Sequence, residues 1–368
     1  MHATKPTILI FTSHTGGGHI NLSQSLKEIL GPNYTCIVSD PLPKLIDRWY
    51  AAVSRSDVGF LARQFKYTDT PFVAWFVHTL LALLLAHRIR KSIERTQPQL
   101  IITTHPVLSY AIARVNARLP KRLPLVFQLT DLGRVHQTWF TEKYADAYLA
   151  PTREIFAQAV EQGIEQKRLY LTGRPIRRQF LEVSASTKEE ILAMLNFEPD
   201  VFTIFLQGGA KGSAQVDSVI QFLLEVAIPV QIILAVGNNK DMAASYAGKK
   251  QVYALPFTET IAPYMATADI IIGKAGASFV TEAFMLEKPF LVTAVIPEQE
   301  TPTLAFIERH NLGWVRLEPA AQQELLLEIA QNPTLIAEKV ATIRAYKSWN
   351  TQANQGIRVV VDRLLAQV

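Results

Sequence analysis

The chain has 368 residues, of which 49% are hydrophobic and 19% are charged, and this composition excludes a disordered chain. The length is typical of two domains of ordinary size. A single cysteine, Cys36, excludes a disulfide framework and a thiolate metal site, which indicates a reducing, cytoplasmic setting. Residues 1–150 carry 17 basic and 9 acidic side chains, whereas residues 151–368 carry 20 and 23, so the net charge of +5 comes from the first part of the chain.

The chain begins with the pattern of a strand, a glycine loop and a helix, TILIFTSHTGGGHINLSQSLKEIL. Residues 7–12 are apolar and β-prone, and apolar residues then recur at helical spacing over residues 22–30. The glycines at 16–18 let the backbone approach a ligand closely, and His19 begins the helix. Because three glycines supply no side chains against which a histidine could pack, we interpret His19 as a functional residue.

The next segment is apolar and then basic: PFVAWFVHTLLALLLA, residues 71–86, precedes HRIRKSIER, residues 87–95. The apolar part is shorter than the roughly 20 residues that span a bilayer, so we predict no transmembrane helix. Two interpretations stay open, a core helix with a solvated basic end and a monotopic contact with an anionic membrane surface. The second predicts two sets of contact residues: Phe72, Trp75 and Phe76 in the lipid interface, and Arg88, Arg90 and Lys91 at the head groups. No recognition motif indicates a nucleic-acid partner.

Further strands alternate with helical patterns along the first half of the chain. They are predicted at residues 36–39, 100–104, 125–130 and 147–150. Such alternation predicts an α/β fold with a doubly wound, mostly parallel sheet, whose ligands bind at the carboxyl ends of the strands. The polar residues at those ends are His14, His19, Asp40, His105 and Asp131.

The second half repeats this organisation after a Gly-Arg-Pro break in LYLTGRPIRRQFLE, residues 169–182, which we interpret as a linker. The segment FTIFLQGGAKGS again leads from a strand into a glycine turn that contains Gly208 and Gly209, and a helix is predicted at residues 216–226. The further strands are predicted at residues 230–235, 251–254, 270–272, 290–293 and 313–316. The closing stretch, residues 351–368, is amphipathic and helical.

The segment ADIIIGKAGASFVTE, residues 268–282, is the most informative part of the second half. Lys274, Gly276 and Ser278 open a helix whose free N–H groups and positive dipole end attract phosphate. Glu282 follows about one turn later, where a carboxylate can accept hydrogen bonds from both hydroxyls of a ribose. With the first loop, this segment predicts two nucleotide-type domains that face a cleft for a sugar nucleotide. Because the chain has no Asp-x-Asp pair, we predict no metal bridging the diphosphate.

The order of these motifs resembles a known family. Successive motifs of monogalactosyldiacylglycerol synthases and diacylglycerol glucosyltransferases are similar to five segments of this chain: TSHTGGGHINLSQSL, LTDLGRVHQTWF, LTGRPIRRQF, FLQGGAKG, and DIIIGKAGASFVTEAFMLEKPFL with IPEQE. The last signature is shared with the more distant peptidoglycan lipid-intermediate N-acetylglucosaminyltransferase. The resemblance implies the GT-B fold, two Rossmann-like domains at residues 1–175 and 176–368, and leaves open whether the C-terminal helix returns to the first domain. It implies an inverting transfer of galactose or glucose from a UDP-hexose to a lipid acceptor, diacylglycerol, at the cytoplasmic membrane face, without a metal or cofactor.

The resemblance also implies a role for each matching residue. His19 is expected to be the general base that takes the proton of the acceptor hydroxyl, and Asp131 an assisting or orienting carboxylate. The residues expected to bind the donor are Gly17, Gly18, Gly208, Gly209, Asn239, Phe257, Lys274, Gly276, Ala277, Ser278, Glu282, Gln299 and Glu300. In this set Phe257 lies against uracil, and Gln299 and Glu300 contact the hexose hydroxyls.

Three positions depart from the pattern of the family. Phe279 stands where relatives usually have threonine, Glu298 where many have glycine, and Asn238 where a basic residue often precedes Asn239. The choice between galactose and glucose therefore stays open. Three other functions also stay open: a UDP-sugar-dependent transferase with another acceptor, a UDP-sugar epimerase, and a noncatalytic sugar-nucleotide-binding protein.

Overall fold

The computed structural model describes residues 5–14, 17–45, 58–184, 187–207, 213–225 and 229–367. The chain forms two compact units. Unit 1 comprises residues 1–177, 297–302 and 349–368, and unit 2 comprises residues 178–296 and 303–348. The predicted glycine loop at Gly208 and Gly209 lies outside the described residues, as does Gly16.

Unit 1 contains a six-stranded parallel sheet with the strand order β2-β1-β3-β4-β5-β6. Its strands are Thr7–Phe11 (β1), Thr35–Ser39 (β2), Leu100–Thr103 (β3), Leu125–Gln128 (β4), Ala147–Ala150 (β5) and Leu169–Leu171 (β6). The strands β3, β4 and β5 are buried on both faces, as expected for short aliphatic runs in a parallel sheet. The prediction of a parallel, doubly wound sheet in the first half is confirmed.

Helices cover the sheet of unit 1. They are Gly17–Leu30 (α1), Val58–Thr68 (α2), Pro71–Thr96 (α3), Pro106–Asn116 (α4) and Arg153–Glu161 (α5). Proline at the first position starts both α3 and α4, where its missing N–H costs no helical hydrogen bond. The inner face of α3 packs through Leu85, Ile89 and Ile93 into the core that β3 and β4 share.

Unit 2 contains a second six-stranded parallel sheet with the order β12-β11-β10-β7-β8-β9. Its strands are Phe202–Gln207 (β7), Val230–Gly237 (β8), Val252–Pro256 (β9), Ile270–Lys274 (β10), Phe290–Ala294 (β11) and Gly313–Val315 (β12). The helices are Thr187–Leu195 (α6), Ser213–Glu225 (α7), Lys240–Ser245 (α8), Ala262–Thr267 (α9), Ala277–Met285 (α10), Thr301–Arg309 (α11), Pro319–Gln331 (α12) and Thr334–Leu365 (α13). Each strand predicted in the second half is present.

The C-terminal residues belong to unit 1, whereas the sequence prediction assigned them to the second domain and left their return open. The apolar stripe Ile357, Val360, Val361 and Leu364 of α13 is buried in one cluster with residues of β1, β3 and β4. Burial of this stripe is the physical reason for the assignment, because exposed it would leave four large apolar side chains in water.

Candidate functional site

His19 lies in the first turn of α1, and one hydrogen bond determines which of its ring nitrogens can accept a proton. Its Nδ1 atom lies 2.7 Å from the carbonyl oxygen of Thr104 at the end of β3. Since a carbonyl oxygen can only accept, Nδ1 carries the hydrogen and the lone pair is on Nε2. The hydroxyl of Thr104 donates to Thr12, whose hydroxyl donates in turn to the carbonyl oxygen of His19. The ends of β1 and β3 therefore hold both the backbone and the ring of His19.

His19 lies beside His105, and His105 is in turn close enough to His78 for the two to interact electrostatically. The ring of His105 is 4.3 Å from that of His19 between centroids, and its Nδ1 accepts the N–H of Val107 at the start of α4. His78, on the inner face of α3, is 1% exposed, and neither of its ring nitrogens has a hydrogen-bond partner among the described residues. Burial, with a smaller contribution from Arg174, lowers the pKa of His19 to about 4 against the opposing bond to Thr104. His19 is thus uncharged at neutral pH.

Asp131 follows β4 and has a polar environment built from three parts of unit 1. The hydroxyl of Thr130 donates to its carboxylate at 3.2 Å, and the charges of Arg174 and Glu300 also act on it. Burial raises the pKa of Asp131 to about 6, assisted weakly by Glu300 and opposed by Arg174 and Thr130. At neutral pH the structure therefore combines a neutral imidazole and an ionised carboxylate, both influenced by the guanidinium of Arg174.

Arg174 is 3% exposed, and helix α13 holds the backbone on which it lies. The N–H of Arg174 donates to Oδ1 of Asn350 at 2.7 Å, and Nδ2 of Asn350 donates to the carbonyl oxygen of Arg174 at 3.0 Å. Asn354 donates to the carbonyl oxygens of Thr172 and Arg174. The preceding Gly173 has φ +67°, and a Cβ atom there would lie 2.6 Å from Oδ1 of Asn350. Only glycine fits this position without displacing Asn350.

The segment 297–302 brings two of the predicted hexose contacts into unit 1. Glu300 is 7% exposed, Gln299 is half-buried, and Glu298 is exposed with a φ of +64°. The loop after Asp131 approaches this segment so closely that a Cβ at Gly133 would lie 2.1 Å from the carbonyl oxygen of Pro302. The left-handed region favours glycine, so the positive φ at position 298 suits the glycine that the family pattern leads us to expect there.

In unit 2, β10 runs into α10 as the sequence predicts, with Gly276 as the residue before the helix. The N-cap residue Gly276 has no side chain that could cap α10, and the N–H groups at a helix N-terminus favour an anion. Lys274 and Ser278 are half-buried beside this turn, and Ala277 is the first helical residue. Glu282 is 6% exposed on the same helix. The structure thus brings together the residues expected to bind phosphate and ribose.

Phe279, the departure within α10, is a core residue of unit 2. Its ring packs against Phe205 and Phe290 at centroid distances of 6.2 and 5.4 Å. The ring occupies space next to Gly273, where a Cβ would lie 3.0 Å from Cε1 of Phe279 and 3.2 Å from Cβ of Gln207. Gly273 and Phe279 are therefore sterically matched.

Three other predicted donor residues have local environments of their own. Asn239 is the N-cap of α8 and accepts the N–H of Met242 at 3.1 Å. Phe257 is 69% exposed, and its N–H donates to the carbonyl oxygen of Gly237. Gly17 and Gly18 are exposed at the start of α1, and a Cβ at Gly17 would meet no protein atom within 4 Å. Packing therefore does not require glycine at position 17.

Helix α3 carries apolar side chains on both of its faces. Its outer face exposes Phe72, Trp75, Phe76, Leu80, Leu83 and Leu84. By length and composition it is the one helix in the described ranges that could cross a membrane, although 28% of its apolar window is buried. Arg88, Arg90 and Lys91 are exposed in its second half, and Arg90 pairs with Glu94 at 2.9 Å. The inner face is thus a core surface, as one interpretation predicted, while the outer face is free for another contact.

Sequence reasoning missed Arg174, which it interpreted as part of a linker, and it missed His78 and Thr104. Asn350 lies 176 positions from Arg174 in the chain, so no local pattern could have connected the two. The one available signal was an arginine inside a Thr-Gly-Arg-Pro motif at the end of a buried strand.

Comparison with known proteins finds similarity to glycosyltransferases along most of the chain. Residues 22–176 match the model of the monogalactosyldiacylglycerol (MGDG) synthase family, and residues 203–305 match the C-terminal domain of glycosyltransferase family 28. The chain is therefore similar to the MGDG synthases in its first half and to family 28 glycosyltransferases in its second half. A probable MGDG synthase of Glycine max is 26% identical over 332 residues, 83% of this chain and 62% of the relative. MGDG synthase 3 of Arabidopsis thaliana is 25% identical over 350 residues, 89% of this chain and 74% of the relative. The chain thus spans less than two thirds of the length of the soybean relative.

Solved structures establish the fold. The crystal structure of MurG from Acinetobacter baumannii has a TM-score of 0.63 at 15% identity and covers 99% of this chain and all of its own. The calicheamicin glycosyltransferase CalG4 has a TM-score of 0.65 at 13% identity over 99% of both chains. Anabaena HepE, in complex with UDP and glucose, has a TM-score of 0.61 at 14% identity, covering 97% of this chain and all of its own. This protein therefore has the GT-B fold.

Proposed function

We propose that this protein transfers a hexose from a UDP-sugar to the hydroxyl of a lipid, diacylglycerol, with inversion and without a metal. In this proposal the turn between β10 and α10 holds the diphosphate, and Glu282 holds the ribose. The proton of the acceptor hydroxyl passes to Nε2 of His19, the hydroxyl oxygen forms a bond to the anomeric carbon, and the bond from that carbon to the diphosphate breaks. The electron pair of the broken bond stays on UDP, whose charge the N-terminus of α10 and Lys274 stabilise.

The observation that carries the proposal is the environment of His19. Its Nδ1 donates to the carbonyl oxygen of Thr104, so the tautomer with a free Nε2 lone pair is the stable one. The lowered pKa keeps the ring neutral, as a general base requires, and Asp131 supplies a second acceptor that can orient the hydroxyl or share its proton. The similarity to these families and the UDP bound in the HepE structure support the choice of donor.

The lipid acceptor is proposed on the names of the relatives and on the outer face of α3. Six exposed large apolar side chains on one helix, followed by basic residues, suit the interface of an anionic membrane at its cytoplasmic side. The inner face of the same helix is packed in the core of unit 1, which favours a surface contact over a membrane-spanning helix.

A donor-by-acceptor screen tests the transfer. Purified protein is given UDP-galactose or UDP-glucose with diacylglycerol in vesicles or with a soluble alcohol, and UDP release is measured. We expect release with the lipid acceptor, and a loss of about 10²- to 10⁴-fold in His19→Ala. His310→Ala, at an exposed histidine of unit 2, is the matched control. Turnover with a soluble acceptor alone would contradict the lipid proposal, and hexose conversion without any acceptor would indicate an epimerase. UDP binding without any turnover would indicate a noncatalytic protein.

Co-sedimentation with anionic vesicles tests the membrane contact separately. We expect the combined Phe72→Ser, Trp75→Ser and Phe76→Ser variant to lose binding, while Val359→Ser, at an equally exposed position on α13, retains it. Reversing the charges of Arg88, Arg90 and Lys91 should weaken binding at least about a hundredfold, since each basic residue contributes about 1 kcal/mol. The matched control reverses the exposed Lys249 and Lys250. If vesicle binding is unchanged both in the serine variant and after the charge reversals, α3 is a core helix that does not contact the membrane.

A further inference from the structure

Unit 2 contains a cavity of about 280 Å³ that is separate from the turn between β10 and α10. Its walls are the segments 180–184 and 285–288, together with Lys188, Ala266 and Lys347. Lys288 lies two positions before the first residue of β11, whereas Gly276 lies two positions after the last residue of β10. Because β10 and β11 are parallel neighbours, the cavity lies at the amino edge of the sheet and the proposed diphosphate turn at its carboxyl edge.

Three lysines from three different elements line the cavity, and two of them are fixed by carboxylates. Nζ of Lys188 lies 3.1 Å from Oδ1 of Asp269, and Nζ of Lys347 lies 2.9 Å from Oε1 of Glu287. Glu287 also binds Arg344 at 2.8 Å through its other oxygen. For the third lysine, Lys288, no direct hydrogen bond or ion pair of the ammonium group exists within the described ranges.

The backbone directs Lys288 toward the cavity. Helix α10 is followed by its C-cap Leu286 and then by Glu287 at φ +60°, and the N–H groups of Glu287 and Lys288 donate to the carbonyl oxygens of Phe284 and Ala283. These two backbone hydrogen bonds form the Schellman motif, which normally has glycine at the left-handed position. A glutamate there costs about 1–2 kcal/mol, yet it places the carboxylate that holds Arg344 and Lys347.

Lys288 carries a charge that the protein only partly compensates. Burial lowers the pKa of Lys288 to about 8, with Lys188 contributing, while Asp269 and Glu287 oppose the shift. A partly desolvated ammonium group beside a second lysine is unfavourable in the empty cavity, and an anion bound between them would relieve both effects.

We infer that this cavity binds a phosphate monoester. Three ammonium groups act as point charges arranged around one space, which suits a tetrahedral anion with several oxygens better than a planar carboxylate. Together with the groups that pair with them, the three lysines and Arg344 against Asp269 and Glu287, the site has a net charge of +2, which matches the charge of −1.5 to −2 that a phosphate monoester carries near pH 7. The remaining wall is apolar, including Phe180, Leu181 and Met285, and can cover the organic part of the ester. The inference is independent of the proposed sugar transfer.

Lysine reactivity measured by mass spectrometry tests this inference on the whole protein. Each lysine is acetylated at pH 8 with and without millimolar inorganic phosphate, glycerol 3-phosphate, or vesicles that contain phosphatidic acid. We expect a bound monoester to reduce the reactivity of Lys288 about tenfold, the effect of one charge-assisted hydrogen bond, while exposed Lys249 is unaffected. Protection by glycerol 3-phosphate identifies a free ester as the ligand, and protection by the vesicles alone identifies a lipid head group. Absence of protection by all three ligands would overturn the inference.

Calorimetry with glycerol 3-phosphate, or with the vesicles if only they protect, locates the binding site. Lys288→Met and Lys188→Gln should each weaken binding about tenfold, whereas Lys249→Met should not. Binding that is lost in Lys274→Met but kept in Lys288→Met would place the anion at the turn after β10 and refute the inference. If Lys288→Met fails to fold, Lys188→Gln and the protection of Lys288 in the unchanged protein decide the question.

Discussion

Replacement of Gly173 by alanine should destabilise unit 1 and disturb its candidate site together. The φ of +67° makes any side chain at this position cost about 1–2 kcal/mol. The new Cβ would lie 2.6 Å from Oδ1 of Asn350 and 3.0 Å from Nδ2 of Asn354, so both amides must move. If Asn350 moves, the buried N–H of Arg174 loses its partner, which costs about 1–3 kcal/mol more. We expect Gly173→Ala to lower the free energy of unfolding by about 2–5 kcal/mol in total.

Gly248→Ala is a matched control for this change. Gly248 has a similar φ of +81°, but a Cβ there would meet no atom within 4 Å. The control should therefore cost only the left-handed backbone energy, about 1–2 kcal/mol. Chemical denaturation followed by circular dichroism measures both variants, and UDP release measures the site. Gly173→Ala should also lose activity, because Arg174 then no longer lies where it acts on His19 and Asp131. An equal loss of stability in the two variants, with activity retained in Gly173→Ala, would refute the reasoning.

Three more predictions follow from the described contacts. Activity should fall as the pH drops through about 6, because Asp131 is protonated there while His19 stays neutral down to about pH 4. A profile of activity against pH checks this. In Asp131→Asn the residual activity should no longer fall near pH 6. His78→Leu should raise the free energy of unfolding by about 1–3 kcal/mol, since it removes a buried imidazole whose nitrogens have no hydrogen-bond partner among the described residues. Chemical denaturation measures this, and a variant less stable than the unchanged protein would contradict the account. Gly273→Ala alone should lower the free energy of unfolding by about 1–3 kcal/mol, because the new Cβ clashes with Phe279. In a Phe279→Thr background, which lacks that ring, Gly273→Ala should cause little further loss. Losses that simply add in the double-mutant cycle would argue against the steric match.

Local patterns predicted the elements that carry the site. The aliphatic run of β10, the glycine after it and Glu282 are close in sequence, and strand and helix signals depend on such neighbours. The same reasoning placed His19 at the start of α1 and Asp131 after β4. The proposed roles of these residues rest on the family resemblance and stay predictions.

Residues separated along the chain were beyond that reasoning. A buried guanidinium beside His19 and Asp131 depends on Asn350 and Asn354, which are held near Arg174 because the apolar stripe of α13 packs in unit 1. Likewise, Lys188, Lys288 and Lys347 surround one cavity although no spacing connects them.

The amino-acid sequence by itself determined two parallel α/β sheets, the order of their glycine turns and the resemblance to MGDG synthases, because periodicity, turn chemistry and motif order are properties of neighbouring residues. Only the tertiary structure decided that the last helix completes unit 1, that α3 has an apolar face on each side, and which protonation states His19 and Asp131 adopt. The physical reason is that burial and electrostatic environment are set by distant segments that pack together, and these quantities determine pKa values and exposed surface.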